Sequence, residues 1–482
     1  MQRCDTLIRG ATVIDGTGGP AVRADVALAD GRIAAVGALD PRAWRADDVR
    51  DAAGLALCPG FVDVHTHDDT SVIRTPDLWP KLSQGVTTVI VGNCGVSAAP
   101  VRLRGEPPDP MNLLGRAEDF RYPTFASYRE AVAAARPAVN VAALVGHTAL
   151  RANHMDRLDR AATAEEVAAM RAELRDALAG GALGLSTGLA YANACHAPTA
   201  EVMALAEPLA EAGALYATHV RSEFAEILAA LDEAVRVGRH ARVPVAVSHL
   251  KCAGPENWGR SGEVLAALDA ARRAHAVGWD CYPYAAGSST LDLAQVTDRH
   301  EITVTWSDPH PEMGGQSLAE IAAAWRTTLV EAARRLQPAG AIYHAMSEAD
   351  VRRILRHPAT VIGSDGLPND PRPHPRLWGA FPRVLGHYCR ELGLFPLTEA
   401  VHKMTGLSAR RFGLAGRGEV RAGYWADLVL FDPAAVRDVA TYADPRRPAA
   451  GIAAVWVNGV PSSRDQTPTG ERGGRFVARG PR

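Results

Sequence analysis

"GFVDVHTH" occupies residues 60–67, and reading it decides the fold. Its first half is a short apolar run introduced by Pro59, which fits a buried strand. Its second half sets His65 and His67 two residues apart, so the period-2 pleat of a strand turns both side chains to one face at the strand's C-terminal end. Seven further runs of the same kind follow: "VTTVIVGNCG" (86–95), "NVAALVGH" (140–147), "ALGLSTGL" (182–189), "ALYATHV" (214–220), "VPVAVSHL" (243–250), "VGWDCYPY" (277–284) and "ATVIGSDG" (359–366). Between them lie helical patterns such as "TAEEVAAMRAELRDALAGG" (163–181), which opens with a Thr163-to-Glu166 capping box and closes on glycines. Eight strand–helix repeats predict an α/β fold whose centre, residues 59–413, is a closed (β/α)8 TIM-like barrel.

The ends read differently. "DTLIRGATVIDG" and "ADVALADGRIAAVG" near the start are short alternating strands with Asp-Gly turns, and a similar pattern returns near the close in "ADLVLFDP" and "GIAAVWVNGV". Residues 1–58 and 414–482 are therefore expected to pair into one small β-sandwich domain beside the barrel. Two connections exceed simple turns, 96–139 and 285–358. The second reads either as a lid over the barrel mouth or as a peripheral helical insertion. The tail from Ser462 to Arg482, rich in Gly, Arg, Thr and Pro, reads as a solvated or loosely packed end.

The chain has 482 residues, 47% of them hydrophobic and 22% charged, with a formal charge of -2. That balance gives no electrostatic reason to expect nucleic acid or an anionic membrane as a partner. No apolar run reaches the roughly 18 residues of a membrane span, and the start lacks the apolar core of a secretory signal, so a cytoplasmic address is expected. The seven scattered cysteines form no CxxC and no disulfide framework is expected. The sequence is silent on oligomeric state.

Most of the proposed strands end in a residue able to bind metal or carry a proton. Besides His65 and His67 these are Cys94, His219, His249 and Asp365, which a barrel would converge on its axis. A lone strand histidine is more often a hydrogen-bonded core residue, but five metal-binding residues and an aspartate at strand ends reverse that weighting. Three ligands such as Cys94, His219 and His249 leave one position open for water, as in catalytic zinc sites. Asp365 is then the candidate general base, taking a proton from that water and passing it to a leaving nitrogen. His147 also closes a strand and reads as structural.

With those residues in view, "PGFVDVHTHDD" (59–69), "VGNCG" (91–95), "LSTGLAY" (185–191), "THVRSE" (218–223), "SHLK" (248–251), "YPYAAGS" (282–288) and "GSDGLP" followed by "HPR" (363–376) resemble the D-aminoacylase family of the amidohydrolases across nearly the whole chain. The resemblance implies a zinc-dependent hydrolase of N-acyl-D-amino acids, with a small-molecule N-acylated amino acid as its substrate. It implies one tight zinc on Cys94, His219 and His249, a weaker second site on His65 and His67 with Cys94, and Asp365 as the acid/base. It also implies that Lys251, Tyr282, Ser288 and Arg376 hold the substrate carboxylate, with Tyr191 beside them. Hydantoinase-like relatives use a carboxylated lysine from the fourth strand, and "ALGLSTGL" has none. Two rivals remain at this level: another amidohydrolase activity on cyclic or non-amino-acid amides, and a non-catalytic scaffold on the same fold. One departure falls after Tyr191, where "ANACHAP" (192–198) stands in place of a proline-containing stretch.

Overall fold

The computed structural model describes residues 2–40 and 42–480. Its centre is a run of short parallel strands: β1 (Phe61–Asp63), β2 (Val86–Val91), β3 (Asn140–Ala143, continued as Val145–Gly146), β4 (Gly184–Gly188), β5 (Leu215–His219), β6 (Val245–Val247), β7 (Val277–Cys281) and β8 (Thr360–Ile362). Each pairs in parallel with the next in chain order. A parallel bridge between Thr66 and Gly366, with Asp365 N–H donating to the His65 carbonyl at 2.8 Å, links the chain just beyond β8 to the chain just beyond β1. All eight strands are buried along their length, so both faces are covered and the sequence reads as apolar runs instead of alternation.

The expected helix after β3 runs from Ala164 to Ala179. Thr163 accepts from the Glu166 N–H and Glu166 accepts in return from the Thr163 N–H, so the capping box forms as read. No helix among the described residues is long and apolar enough to cross a membrane.

Strands from both ends form one nine-stranded sheet. Within it, Ala56–Pro59 pairs antiparallel with Leu428–Phe431, which joins the N-terminal strands to the C-terminal ones. The Asp30-Gly31 turn connects Val22–Ala29 to Arg32–Gly37 with φ of 53° and 74°, the left-handed pair that a tight hairpin requires. A separate core of Ile8, Val13, Val26, Leu28, Leu428, Leu430 and Trp456 lies in this sheet.

Two expectations need correction. The tail is solvated over residues 465–471, which are exposed, but it is anchored on either side of them. Val460–Arg464 is a strand of the terminal sheet, and the Val141 N–H donates to the Arg475 carbonyl at 2.9 Å while Val477 N–H returns to Val141 at 2.7 Å. Phe476 stacks edge-on to Phe125, so apolar burial and backbone pairing hold a segment whose composition alone favoured solvent. Residues 481 and 482 lie outside the described residues. The 285–358 connection is also more than helices: Gly287–Thr290, Ala339–Tyr343 and Ile302–Ser307 form a three-stranded antiparallel sheet with its own apolar core. Its last helix, Glu348–Arg356, packs on β7 and β8.

Candidate active site and metal centre

The site lies just beyond the C-terminal ends of the central strands. His219 ends β5, while Cys94, His249 and Asp365 follow β2, β6 and β8 by two or three residues. These last three have φ of 54°, 35° and 52°. Left-handed backbone at non-glycine residues stores about 1–3 kcal/mol each and concentrates at functional sites. Here it turns the side chains inward one after another. Gly188 lets the walls close: a Cβ there would stand 2.1 Å from the Cys94 carbonyl oxygen.

The structure brings the six proposed residues together. Cys94 Sγ lies 3.1 Å from His65 Nε2 and 3.4 Å from His249 Nε2, and the His219 and His249 rings stand edge to face with centroids 4.5 Å apart. Asp365 Oδ1 is 3.4 Å from His65 Nε2 and 3.2 Å from His67 Nε2. His65 and His67 share one side, although β1 ends at Asp63 and both sit in the segment after it. Burial pushes the Cys94 thiol up, but the charges of His65 and His249 and hydrogen bonds from His219 and His249 bring it well below the usual thiol range. Burial likewise works against the charged form of Asp365, and the Arg376 guanidinium, then His65 and His67, hold it well below the usual carboxylate range.

These donors fit a borderline-soft divalent cation. Ligand atoms of His65, Cys94, His249 and Asp365 all lie within 4.8 Å of one another, as do those of His219, Glu223 and His249. His67 Nδ1 and His219 Nδ1 are buried without a hydrogen-bond partner, which a coordinated ion would explain. Thiolate with imidazole is a donor set suited to zinc.

The proposed substrate residues divide. Tyr191, Lys251, Tyr282 and Ser288 line a cavity of about 800 Å³ together with His67, His219, His249 and Asp365. Arg376 is fully buried with its NH1 2.9 Å from Asp365 Oδ2, its NH2 donating to the Ser288 carbonyl at 3.0 Å and its guanidinium 4.6 Å from the Tyr282 ring centre. Lys251 is already paired with Glu223 and lies 2.7 Å from His249 Nδ1. His147 contacts none of the six; it is buried against Glu201 at 3.1 Å, where Arg151 also pairs.

Three supporting groups escaped the sequence reading. Glu223 approaches His249 Nδ1 at 2.9 Å and His219 Nε2 at 3.7 Å; despite burial, Lys251 and the two histidines hold its carboxyl far below the usual range. Asp280 Oδ1 lies 3.4 Å from His65 Nδ1, and its Oδ2 accepts from the His249 N–H at 3.0 Å. Such carboxylates fix the orientation of ligating imidazoles. Lys81, fully buried, donates to Asp63 at 2.8 Å and to Ser364 Oγ at 2.7 Å, tying the residue two before His65 to the one before Asp365. Glu223 sits four residues after His219 and Asp280 near the end of β7, and the strand-end rule applied to the histidines would have found Asp280.

The amidohydrolase family model matches residues 48–462. A D-aminoacylase of Alcaligenes xylosoxydans xylosoxydans is 51% identical over 478 residues, covering 99% of this chain and 98% of that protein. A solved D-aminoacylase structure, whose binuclear metal centre is described as activated by one metal and attenuated by a second, superposes with a TM-score of 0.96 at 51% identity, over 99% of this chain and 100% of that one. An N-acyl-D-glutamate deacylase from Bordetella bronchiseptica, complexed with zinc and a phosphonate mimic of the tetrahedral intermediate, superposes with a TM-score of 0.95 at 47% identity, over 99% and 100% of the two chains. With a family model spanning most of the sequence and a full-length relative at 51% identity, the chain belongs to the amidohydrolase family, within its D-aminoacylase group.

Proposed function

We propose that the protein hydrolyses the amide bond of N-acyl-D-amino acids in a zinc-dependent reaction, releasing a carboxylate and a free D-amino acid, with Asp365 as general base and then general acid. The observation that carries this reading is that Cys94 Sγ stands 3.4 Å from His249 Nε2 and His249 stands edge to face with His219, three side chains brought side by side, with Asp365 in ligand range of Cys94 and His249 and on the wall of a substrate-sized cavity. In this reading those three side chains hold the tight zinc, and His65 and His67 with Cys94 form a weaker second site. When bound, zinc supplies Lewis acidity, making water more acidic and polarising the amide carbonyl.

The chain's own groups do the rest. Asp365 is kept ionised by Arg376 and the histidines, so it is ready to accept a proton from the attacking water and to return it to the departing nitrogen. Arg376 is braced by the Ser288 carbonyl and the Tyr282 ring, and so aims Asp365 while lending positive potential to the carboxylate subsite. Ser288 Oγ is buried without a partner on the cavity wall, a free donor for the substrate carboxylate. Tyr282, Tyr191 and Lys251 complete that subsite. The same reading takes residues 59–413 as a (β/α)8 barrel, 1–58 and 414–482 as a β-sandwich domain, and 285–358 as a lid over the mouth. It also takes the address as cytoplasmic, on the seven scattered cysteines.

A panel of N-acetyl-D- and N-acetyl-L-amino acids with the zinc-loaded enzyme tests the reading. D-enantiomers should turn over well above L, and Asp365→Asn should lower kcat by about 10²–10⁴ while zinc stays bound. Equal rates on both enantiomers, or an Asp365→Asn enzyme as fast as the parent, would overturn it.

A further inference from the structure

The cavity runs from the metal-binding side chains to a second pole built from two distant segments. One is the stretch carrying Asp109; the other is the strand Gly287–Thr290 and the residues just after it, Leu291 and Asp292. Ser288, placed at the substrate carboxylate above, and Thr290 stand on one strand face, two residues or about 7 Å apart. The second pole therefore begins one side chain's length from the carboxylate subsite, where a substrate's own side chain would reach.

The pole is held firmly. Tyr343 donates its hydroxyl to the Thr290 carbonyl at 2.9 Å and accepts from the Asp292 N–H at 2.8 Å. Asp292 caps the turn that follows, accepting from the Ala294 N–H at 2.9 Å and from Gln295 Nε2 at 3.1 Å. The Asn193 side chain donates to the Asp109 carbonyl at 2.5 Å, fixing the opposite side. Asp109 Oδ1 is buried and has no hydrogen-bond partner. Burial first, and then the nearby Asp292 charge, raise the proton affinity of the Asp109 carboxyl against a hydrogen bond from Thr290.

Positive charge on the wall is already engaged. Among the described residues lining the cavity the lysines and arginines are Lys251 and Arg221. Lys251 pairs with Glu223 and, in the reading above, serves the substrate's own α-carboxylate, and Arg221 binds Glu233 through Nε at 2.9 Å and Nη2 at 2.8 Å and also donates to the Cys195 and Ala197 carbonyls. An acidic side chain entering here would meet two carboxylates and no uncommitted cation. An ammonium or guanidinium would meet an unpartnered carboxylate oxygen.

We propose that this cavity selects its substrate by charge: it takes N-acyl-D-amino acids with cationic or uncharged side chains and rejects acidic ones, with Asp109 and Asp292 as the specificity-determining residues. This rests on the deacylase reading above. Like charges brought together at a desolvated site disfavour binding strongly, so the expected discrimination is at least about tenfold.

The test uses zinc-loaded full-length enzyme with N-acetyl-D-lysine, N-acetyl-D-methionine and N-acetyl-D-glutamate, and a glutamate-preferring deacylase as control for the acidic substrate. In the parent enzyme, kcat/KM for the lysine and methionine derivatives should each exceed that for the glutamate derivative at least about tenfold. In Asp109→Asn, Asp292→Asn and the double variant, the lysine-to-glutamate ratio should fall stepwise. A parent enzyme with either ratio below about ten, or variants whose ratio matches the parent's, would overturn the proposal. The parent measurement decides even where a variant fails to fold. Absence of turnover on every D-substrate would instead overturn the deacylase reading, and this proposal with it.

Discussion

Replacing Lys81 by methionine should destabilise the protein by several kcal/mol and loosen the active site with it. Lys81 Nζ stands 2.8 Å from Asp63 Oδ2, 3.3 Å from Asp68 Oδ2 and 2.7 Å from Ser364 Oγ, and the three charged side chains are at most 1% exposed. Methionine fills a similar volume, so little cavity term enters; what is lost is the ammonium that pairs with both buried carboxylates. Removing one partner of a buried ion pair costs about 3–5 kcal/mol, because the remaining charge is left without compensation. Asp63 also accepts from the Ser364 N–H at 2.7 Å and the His65 N–H at 3.4 Å, so the disturbance reaches both arms of the site. Urea unfolding of the zinc-loaded protein, followed by tryptophan fluorescence, would read the loss as a lowered midpoint. Adding Asp68→Leu should recover part of it, since one orphaned carboxylate is then gone. A Lys81→Met unfolding free energy within about 1 kcal/mol of the parent's, below the range for breaking a buried pair, would refute the reasoning.

Two further outcomes are expected. Glu223→Gln should weaken zinc binding about 10–100-fold by releasing the orientation of His249, read by competition with a chelator; unchanged affinity would separate Glu223 from the ligands. Lys403 is buried, and burial lowers its ammonium to about 8 against a partial offset from Glu399. Between about pH 8 and 10.4 the unfolded chain then binds more protons at this residue than the native one, so its contribution to stability rises with pH. The stability of the parent relative to Lys403→Met should accordingly grow by on the order of 2 kcal/mol from pH 7.5 to 10, and a pH-independent difference would contradict the shift.

The parallel strands were legible because strands buried on both faces leave near-continuous apolar runs, as in "VTTVIV" and "LYATH". Their C-terminal limits were less so. Runs read through Gly95 and Gly366 stop at Val91 and Ile362, because the residues beyond give up ladder pairing for the left-handed turns that aim Cys94 and Asp365, and the run read through His67 stops at Asp63, beyond which Thr66 keeps only an isolated bridge. The convergence of the six side chains followed from their strand-end positions. Asp280, near the end of β7, was open to the same rule; Glu223 and Lys81 were not, since a carboxylate or lysine off the strand ends carries no sign of which imidazole or carboxylate it will meet. The tail was legible in part: residues 465–471 are exposed as their composition suggests, yet Arg475 and Val477 pair with Val141, more than three hundred residues earlier.

Zinc analysis of the purified parent and its Cys94→Ala variant tests the central arrangement most directly. The account predicts about one tightly held zinc per parent chain, and a Cys94→Ala protein that folds but loses that ion to a mild chelator. A Cys94→Ala protein that holds the same zinc with parental affinity would contradict it.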